Sequence, residues 1–253
     1  MRVLFLFFFV FLFLGNAFAF ERIISLSPAL TEMVVYAGAE SKLVGVTDFC
    51  TLNIKAEKVG GIVNPNVEKI ISLKPDLILT TNMTPLRIRK ILSKVAKVVV
   101  FHLVNLKEVE DAVESVGDLV GSDGKTLRKR FERELESSLK SVSCLKGKKV
   151  LVLVSCSPIY VAGERSYIGE ALSLGGLKVV PESLSFGAVS AEFIVQNGEV
   201  AVLSCHSGEK SLELLLKKFG LKVYKVPGDF LLHPSPKFLE GIRYLGEKVC
   251  GLK

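Results

Sequence analysis

The 253-residue sequence contains no tryptophan, only three methionines and only three histidines. His102, His206 and His233 each follow a predicted strand, so imidazole with a carboxylate such as Asp229 would suit zinc or manganese. No HxH, HxxxH or HExxH spacing supports that arrangement, and the three are read as cleft-lining residues rather than a metal site. The Gly-x-Ser-x-Gly elbow and the dinucleotide fingerprint are also missing, which removes the usual hydrolase and dehydrogenase signatures. Gly121-Ser122-Asp123-Gly124-Lys125-Thr126 imitates a phosphate loop, but its glycine spacing is too short and no strand leads into it, so it reads as a helix N-terminus. Cys205-His206 imitates a thiol-imidazole pair, yet adjacent residues on a strand end point to opposite sides. The chain is therefore read as a non-enzyme.

Acidic residues are in modest deficit, with 26 Asp and Glu against 33 Lys and Arg and a formal charge of +7. The basic residues are interleaved with acids, as in residues 125–133, which describes a solvated surface rather than a nucleic-acid patch. Charge is scarcest at the beginning. Residues 1–19 hold seven of the sixteen phenylalanines and one charge, Arg2. A basic start, an apolar run over residues 3–14 and the small-residue stretch Gly15-Asn16-Ala17-Phe18-Ala19 have the three regions of a secretory signal peptide, with cleavage expected after Ala19. No cysteine follows the apolar run, so a lipid anchor is not expected; the mature chain, from about Phe20, is expected to be periplasmic and to carry one charge fewer, +6.

Five cysteines, at 50, 144, 156, 205 and 250, thus face an oxidising compartment in which pairing is allowed and an odd count leaves a thiol over. No CxxC is present. Cys156 and Cys205 each end a predicted strand of the same half and are the first candidate pair; Cys144 with Cys250 is the second.

An internal repeat organises what remains. Val67-Glu68-Lys69-Ile70-Ile71-Ser72 leads into Pro75-Asp76-Leu77-Ile78-Leu79-Thr80, and 124 residues later Ala191-Glu192-Phe193-Ile194-Val195-Gln196 leads into Glu199-Val200-Ala201-Val202-Leu203-Ser204. In both copies a capping residue, Asn66 or Ser190, precedes a short helix with glutamate at its second position, and a buried strand follows. Arg22-Ile23-Ile24-Ser25-Leu26-Ser27-Pro28 is echoed by the strand that ends in Ser157-Pro158. After each comes a glycine-closed helical stretch and a short apolar run, Leu43-Val44-Gly45-Val46 or Leu177-Lys178-Val179-Val180. Alternating strands and helices predict an α/β protein made of two small Rossmann-like lobes with parallel sheets.

Between the copies, Leu127, Phe131, Leu135, Leu139 and Val142 recur at helical spacing, and no Gly/Pro/Ser-rich linker divides the chain. One long helix over residues 126–145, about 30 Å at 1.5 Å per residue, is predicted to join the lobes as a stiff connector. The expected organisation is residues 1–19 signal peptide, 20–124 first lobe, 125–146 connecting helix and 147–253 second lobe. Ligand crevices of parallel sheets lie beyond the carboxyl ends of the strands, so the segments after each strand are predicted to face one another across an interlobe cleft. They carry Phe49, Ile62, Tyr160, Phe186, Phe230 and His233, an apolar and aromatic set suited to a large ligand with much neutral surface. Glutamate in a first helical turn favours the helix dipole. The symmetry of Glu68 and Glu192 adds a second meaning, a matched pair of acidic points fit for a two-fold symmetric basic partner.

With these stretches in view, the sequence resembles the periplasmic binding proteins for vitamin B12 and ferric siderophores over essentially all of residues 22–249. The stretches are Ile24-Ser25-Leu26-Ser27-Pro28-Ala29-Leu30-Thr31-Glu32, Val59-Gly60-Gly61, Asn66-Val67-Glu68-Lys69-Ile70, Leu73-Lys74-Pro75-Asp76-Leu77-Ile78, Val189-Ser190-Ala191-Glu192 and Ser235-Pro236. Within that group it looks most like the cobalamin binders. The resemblance implies a monomer without a resident cofactor, with a corrinoid cargo, or alternatively a ferric siderophore or haem with Tyr160 or a cleft histidine as iron ligand. It further implies that Glu68 and Glu192 dock onto the permease dimer of an ABC importer with its ATPase subunits. Phe49, Ile62, Tyr160, Phe186, Phe230 and His233 would approach the ligand. Ile62 and Phe186 stand where cobalamin binders have tryptophans, and His233 where they have arginine.

Overall fold

The computed structural model describes residues 19–205 and 209–251, so most of the expected signal peptide and His206 lie outside the described residues. In the first lobe β1 (Ile23–Ser25), α1 (Pro28–Tyr36), β2 (Leu43–Val46), β3 (Glu57–Lys58), α2 (Val67–Ser72), β4 (Leu77–Thr81), α3 (Leu86–Leu92) and β5 (Lys97–Phe101) follow one another. The strands make an entirely parallel sheet in the order β3-β2-β1-β4-β5. β1 and β4 are buried along their whole length, which is why they read as unbroken apolar runs: helices cover both faces of a parallel sheet.

Two helices, α4 (Leu106–Val120) and α5 (Gly124–Lys140), lead to the second lobe. There β6 (Lys149–Cys156), β7 (Ile159–Ala162), α6 (Tyr167–Leu174), β8 (Lys178–Val179), β9 (Phe186–Ala188), α7 (Ala191–Asn197), β10 (Val200–Leu203), α8 (Glu209–Lys218), β11 (Lys222–Lys225), α9 (Gly228–Leu231) and α10 (Phe238–Cys250) complete the described chain. The repeat is real at the level of pairing. β6 lies between β10 and β8 as β1 lies between β4 and β2, all in parallel.

Two expectations need correction. The second sheet is mixed, because β7 pairs antiparallel with the end of β6 and β9 antiparallel with β7. Only Ser157 and Pro158 separate β6 from β7, whereas a parallel crossover takes a dozen or more residues, so the chain must turn straight back. The connecting helix is also shorter than residues 126–145. α5 stops at Lys140 and a 3-10 turn covers Ser143–Leu145. The Ser138 hydroxyl donates to the Glu134 carbonyl (2.7 Å) and that of Ser141 to the Ser138 carbonyl (2.6 Å), local bonds that compete with the helical ladder.

The connector is a welded pair rather than a lone rod. A Cβ on Gly124 would lie 2.2 Å from the Glu114 carbonyl oxygen, so α4 and α5 meet backbone to backbone. The phosphate-loop lookalike is the corner between them: Gly121, at φ +85°, ends α4 in the left-handed region, and Asp123 caps α5 by accepting from the Thr126 amide (3.0 Å). Arg128 of α5 forms ion pairs with Glu110, Asp111 and Glu114 of α4.

One apolar core runs through both lobes, from Ile23 and Leu30 through Val109, Val116, Phe131 and Leu135 to Leu172, Phe238 and Ile242; a smaller core backs each sheet on its other side. At the waist Phe131 of α5 meets Phe238 of α10 edge-on at 6.0 Å, and Phe238 meets Tyr167 of α6 at 5.4 Å. Both cysteine pairs form. Cys144–Cys250 ties the end of α10 to the turn after α5, Cys156–Cys205 joins the ends of β6 and β10, and Cys50 keeps a buried thiol. A core shared by both lobes makes a definite prediction. Phe131→Ala should cost about 3–5 kcal/mol, and denaturant unfolding followed by circular dichroism should remain one transition. Two separated transitions would show that the lobes are independent.

Candidate functional site

The carboxyl ends of the first sheet open onto a cavity of about 480 Å³. The chain leaves β1 toward β2 on one side and returns to β4 on the other, which places a crevice at this reversal of strand order. Its floor is Ser27-Pro28-Ala29 after β1 and Thr81-Asn82-Met83 after β4. Phe49 and Ile62 form one wall, Leu103 and Val104 after β5 another, and the second lobe closes it with Leu232, His233 and Pro234. Phe49 is 61% exposed and Met83 60%, apolar surface that folding leaves uncovered. Among the described residues no lysine, arginine, aspartate or glutamate lines the cavity, and His233 is the sole ionisable side chain there.

Of the six residues expected at the ligand, Phe49, Ile62 and His233 are brought together in this cavity. Tyr160 and Phe186 stand apart from it on the second lobe, 42% and 41% exposed. Tyr160 pairs with Ala188 and Ala162 with Phe186 across β7 and β9, so the two aromatics share one face of that antiparallel pair. Phe230 is not a lining residue. It packs edge-on against Tyr244 at 5.9 Å as a partly buried part of the common core, because α9 turns it toward α10.

Sequence reasoning gave Glu32 no role, and it is the electrostatic centre of the site. It lies on α1 of the first lobe, 7% exposed, and takes three partners from the second. Its Oε1 is 2.7 Å from His233 Nδ1 and 3.7 Å from Lys237 Nζ, and its Oε2 accepts from the Ser235 hydroxyl. Beneath it, Tyr167 donates its hydroxyl to the Leu231 carbonyl (2.5 Å); burial, reinforced by the charge of Glu32, pushes the Tyr167 hydroxyl far above the usual tyrosine range, so it stays a donor. The signal for Glu32 was available as a single acid inside the otherwise uncharged helix Pro-Ala-Leu-Thr-Glu-Met-Val-Val-Tyr. Backbone contacts cross the same boundary: the Tyr167 amide donates to the Val104 carbonyl (2.8 Å), and Glu170 accepts from the Leu106 amide (2.8 Å) at the start of α4.

Glu68 and Glu192 occupy the second position of α2 and α7 and are both exposed. Their helices start alike, with Asn66 accepting from the Lys69 amide (2.9 Å) and Ser190 from the Phe193 amide (3.0 Å). Neither glutamate is among the residues that line the cavity. His102 is exposed outside the cavity, and among the described residues no group of three His, Cys, Asp or Glu could hold a metal ion.

A sequence profile of periplasmic binding proteins matches residues 23–219, from β1 of the first lobe into the second lobe as far as the end of α8. The chain belongs to the periplasmic binding protein family. It is therefore a ligand-binding transport component and not an enzyme. It is similar to an ABC transporter substrate-binding lipoprotein of Bacillus subtilis, 28% identical over 254 residues that cover 90% of this chain and 80% of that protein. It is also similar to the vitamin B12-binding protein of Vibrio cholerae, 26% identical over 253 residues, 94% and 90% of the two chains. Among solved structures, the periplasmic vitamin B12 binding protein of Vibrio cholerae superposes with a TM-score of 0.73 at 23% identity, covering 92% of this chain and 99% of that one. The periplasmic haem-binding protein of the same organism gives 0.74 at 18%, covering 90% and 98%. These two share the two-lobed fold with this protein. Among the described residues no helix is long and apolar enough to cross a membrane.

For this family member the interlobe carboxylate should be worth more than a surface one. Glu32→Ala strands His233, Ser235 and Lys237 and is expected to cost about 3–5 kcal/mol, the usual penalty for breaking a buried pair. Glu192→Ala, on the surface, should change stability by less than about 0.5 kcal/mol. Thermal unfolding of both variants checks the contrast.

Proposed function

We propose that this protein captures a corrinoid of the cobalamin type in the interlobe cavity and delivers it to the permease dimer of an ABC importer, driven by its ATPase subunits. In this reading it is exported by the signal peptide of residues 1–19 and works in the periplasm as a monomer without a lipid anchor. The observation that carries the cargo assignment is that, among the described residues, no lysine, arginine, aspartate or glutamate lines the cavity. Burying an unpaired anion costs far more than burying neutral surface. Haem with its two carboxylates and the catecholate or carboxylate ferric siderophores would need lysine or arginine there. A corrin ring edged with neutral amides would not: its apolar faces suit Phe49, Ile62 and Met83, and its amides suit Ser27, Thr81 and Asn82. The likeness to the vitamin B12-binding protein of Vibrio cholerae points the same way.

The test is a titration of the mature protein against aquocobalamin, haem and a ferric hydroxamate, read by visible absorption and by retention on ultrafiltration. Corrinoid retention with weaker or no retention of the others is expected; preferential retention of an iron ligand would overturn the cargo assignment. Tyr160 and Phe186 supply the facing aromatic surface, so Tyr160→Ala or Phe186→Ala should weaken corrinoid binding by roughly 1–3 kcal/mol.

Delivery rests on Glu68 and Glu192, equivalent positions in the two halves of the repeat. Matched exposed charges of this kind steer docking and set its register on a two-fold symmetric partner. Glu68→Lys with Glu192→Lys should leave ligand affinity and folding intact and abolish transporter-stimulated ATP hydrolysis. Loss of ligand binding in that double variant would remove the docking assignment.

A further inference from the structure

The charge-poor cavity has one coordinating group whose orientation is fixed from behind. Glu32 and His233 meet at 2.7 Å through Nδ1. A carboxylate accepts, and Glu32 already accepts from Ser235 on its other oxygen, so Nδ1 is the ring nitrogen that carries the hydrogen, and it is the neutral ring, with its lone pair on Nε2, that can ligate. Nε2 has no hydrogen-bond partner among the described residues, and it is not one of the polar atoms sealed from solvent without a partner. The side chain is 17% exposed and lines the cavity. A carboxylate holding one ring nitrogen while the other stays open is the arrangement that orients and strengthens an imidazole for metal ligation.

A single imidazole does not hold a bare ion, and no three-residue metal cluster exists among the described residues. It does suffice for a metal that arrives with its equatorial positions already filled. We propose that His233 Nε2 is an axial ligand to the cobalt of a bound corrinoid, with Glu32 as the residue that positions it. The step is a ligand substitution: the cobalt–water bond breaks, the Nε2 lone pair forms a cobalt–nitrogen bond, and water leaves. Cobalt stays in the +3 state and the Nδ1 hydrogen stays on the ring, donating to Glu32. The cargo class narrows accordingly to corrinoids with an exchangeable axial position, including those that lack an internal nucleotide base.

This inference rests on the corrinoid reading, and its test separates the two. The mature protein is titrated with aquocobinamide, and with dicyanocobinamide in excess cyanide, whose axial positions are held; bound fraction is read by ultrafiltration and coordination by the visible bands. The expected result is binding of aquocobinamide with its bands moved to the nitrogen-ligated positions, and no such move for the dicyano form. His233→Gln keeps an amide that can donate to Glu32 but does not ligate, and should bind aquocobinamide with the bands of the water complex. Glu32→Gln should lower affinity for the aquo form relative to the dicyano form by roughly 10- to 100-fold. Retention of aquocobinamide by the natural protein with an unchanged spectrum, or a band shift that survives in His233→Gln, overturns the coordination and leaves the corrinoid reading standing. No retention of either corrinoid overturns both. Should His233→Gln fail to fold, the comparison of the two cobinamides on the natural protein decides alone.

Discussion

Phe131, Phe238 and Tyr167 interlock at the waist of the molecule, and nearly every other feature depends on that contact being apolar and unbroken. Each is buried, each comes from a different helix, and together they join α5, α10 and α6. Burying side chains of this size contributes about 1.5–3 kcal/mol apiece. Around them α4 lies against α5 closely enough that Gly124 has no room for a methyl group. The lobes are therefore two faces of one core rather than two bodies on a hinge. Glu32 then adds direction to this non-directional attachment, because a buried carboxylate with partners at 233, 235 and 237 admits one register of α1 against the segment before α10.

Such a frame changes how capture works. In a clamp that closes, binding energy is spent on moving domains; in a preformed cavity it goes into the ligand contacts themselves. Folding leaves Phe49 and Met83 exposed at the cavity, and Tyr160 and Phe186 exposed on the second lobe apart from it. The acidic pair at 68 and 192 is separate from this cavity and belongs to the outer surface.

Much of this was legible in the sequence, and the exceptions have physical causes. The offset of 124 residues matched α2 with α7 and β4 with β10 as equivalent elements, since caps, glutamates and buried strands are local signals. The cysteine pairs could be ranked because 156 and 205 end neighbouring strands. The antiparallel turn into β7 was missed because an apolar strand looks the same in either direction, and only the two-residue connection at Ser157-Pro158 distinguishes them. That Phe230 packs on Tyr244 instead of lining the cavity was not legible, because an aromatic after a strand carries no mark of which way a short helix will turn it. Glu32 was visible as an anomaly but not as a partner, since its three contacts lie about two hundred residues away.

The claim on which this account stands is the rigidity of the shared core, and small-angle X-ray scattering addresses it directly. Curves of the mature protein with and without saturating aquocobalamin should overlay once the mass of the ligand is included, because closure would have to shear the Phe131–Phe238 contact and part Glu32 from His233. A marked decrease in the radius of gyration on binding would contradict the account and show that the lobes move against each other.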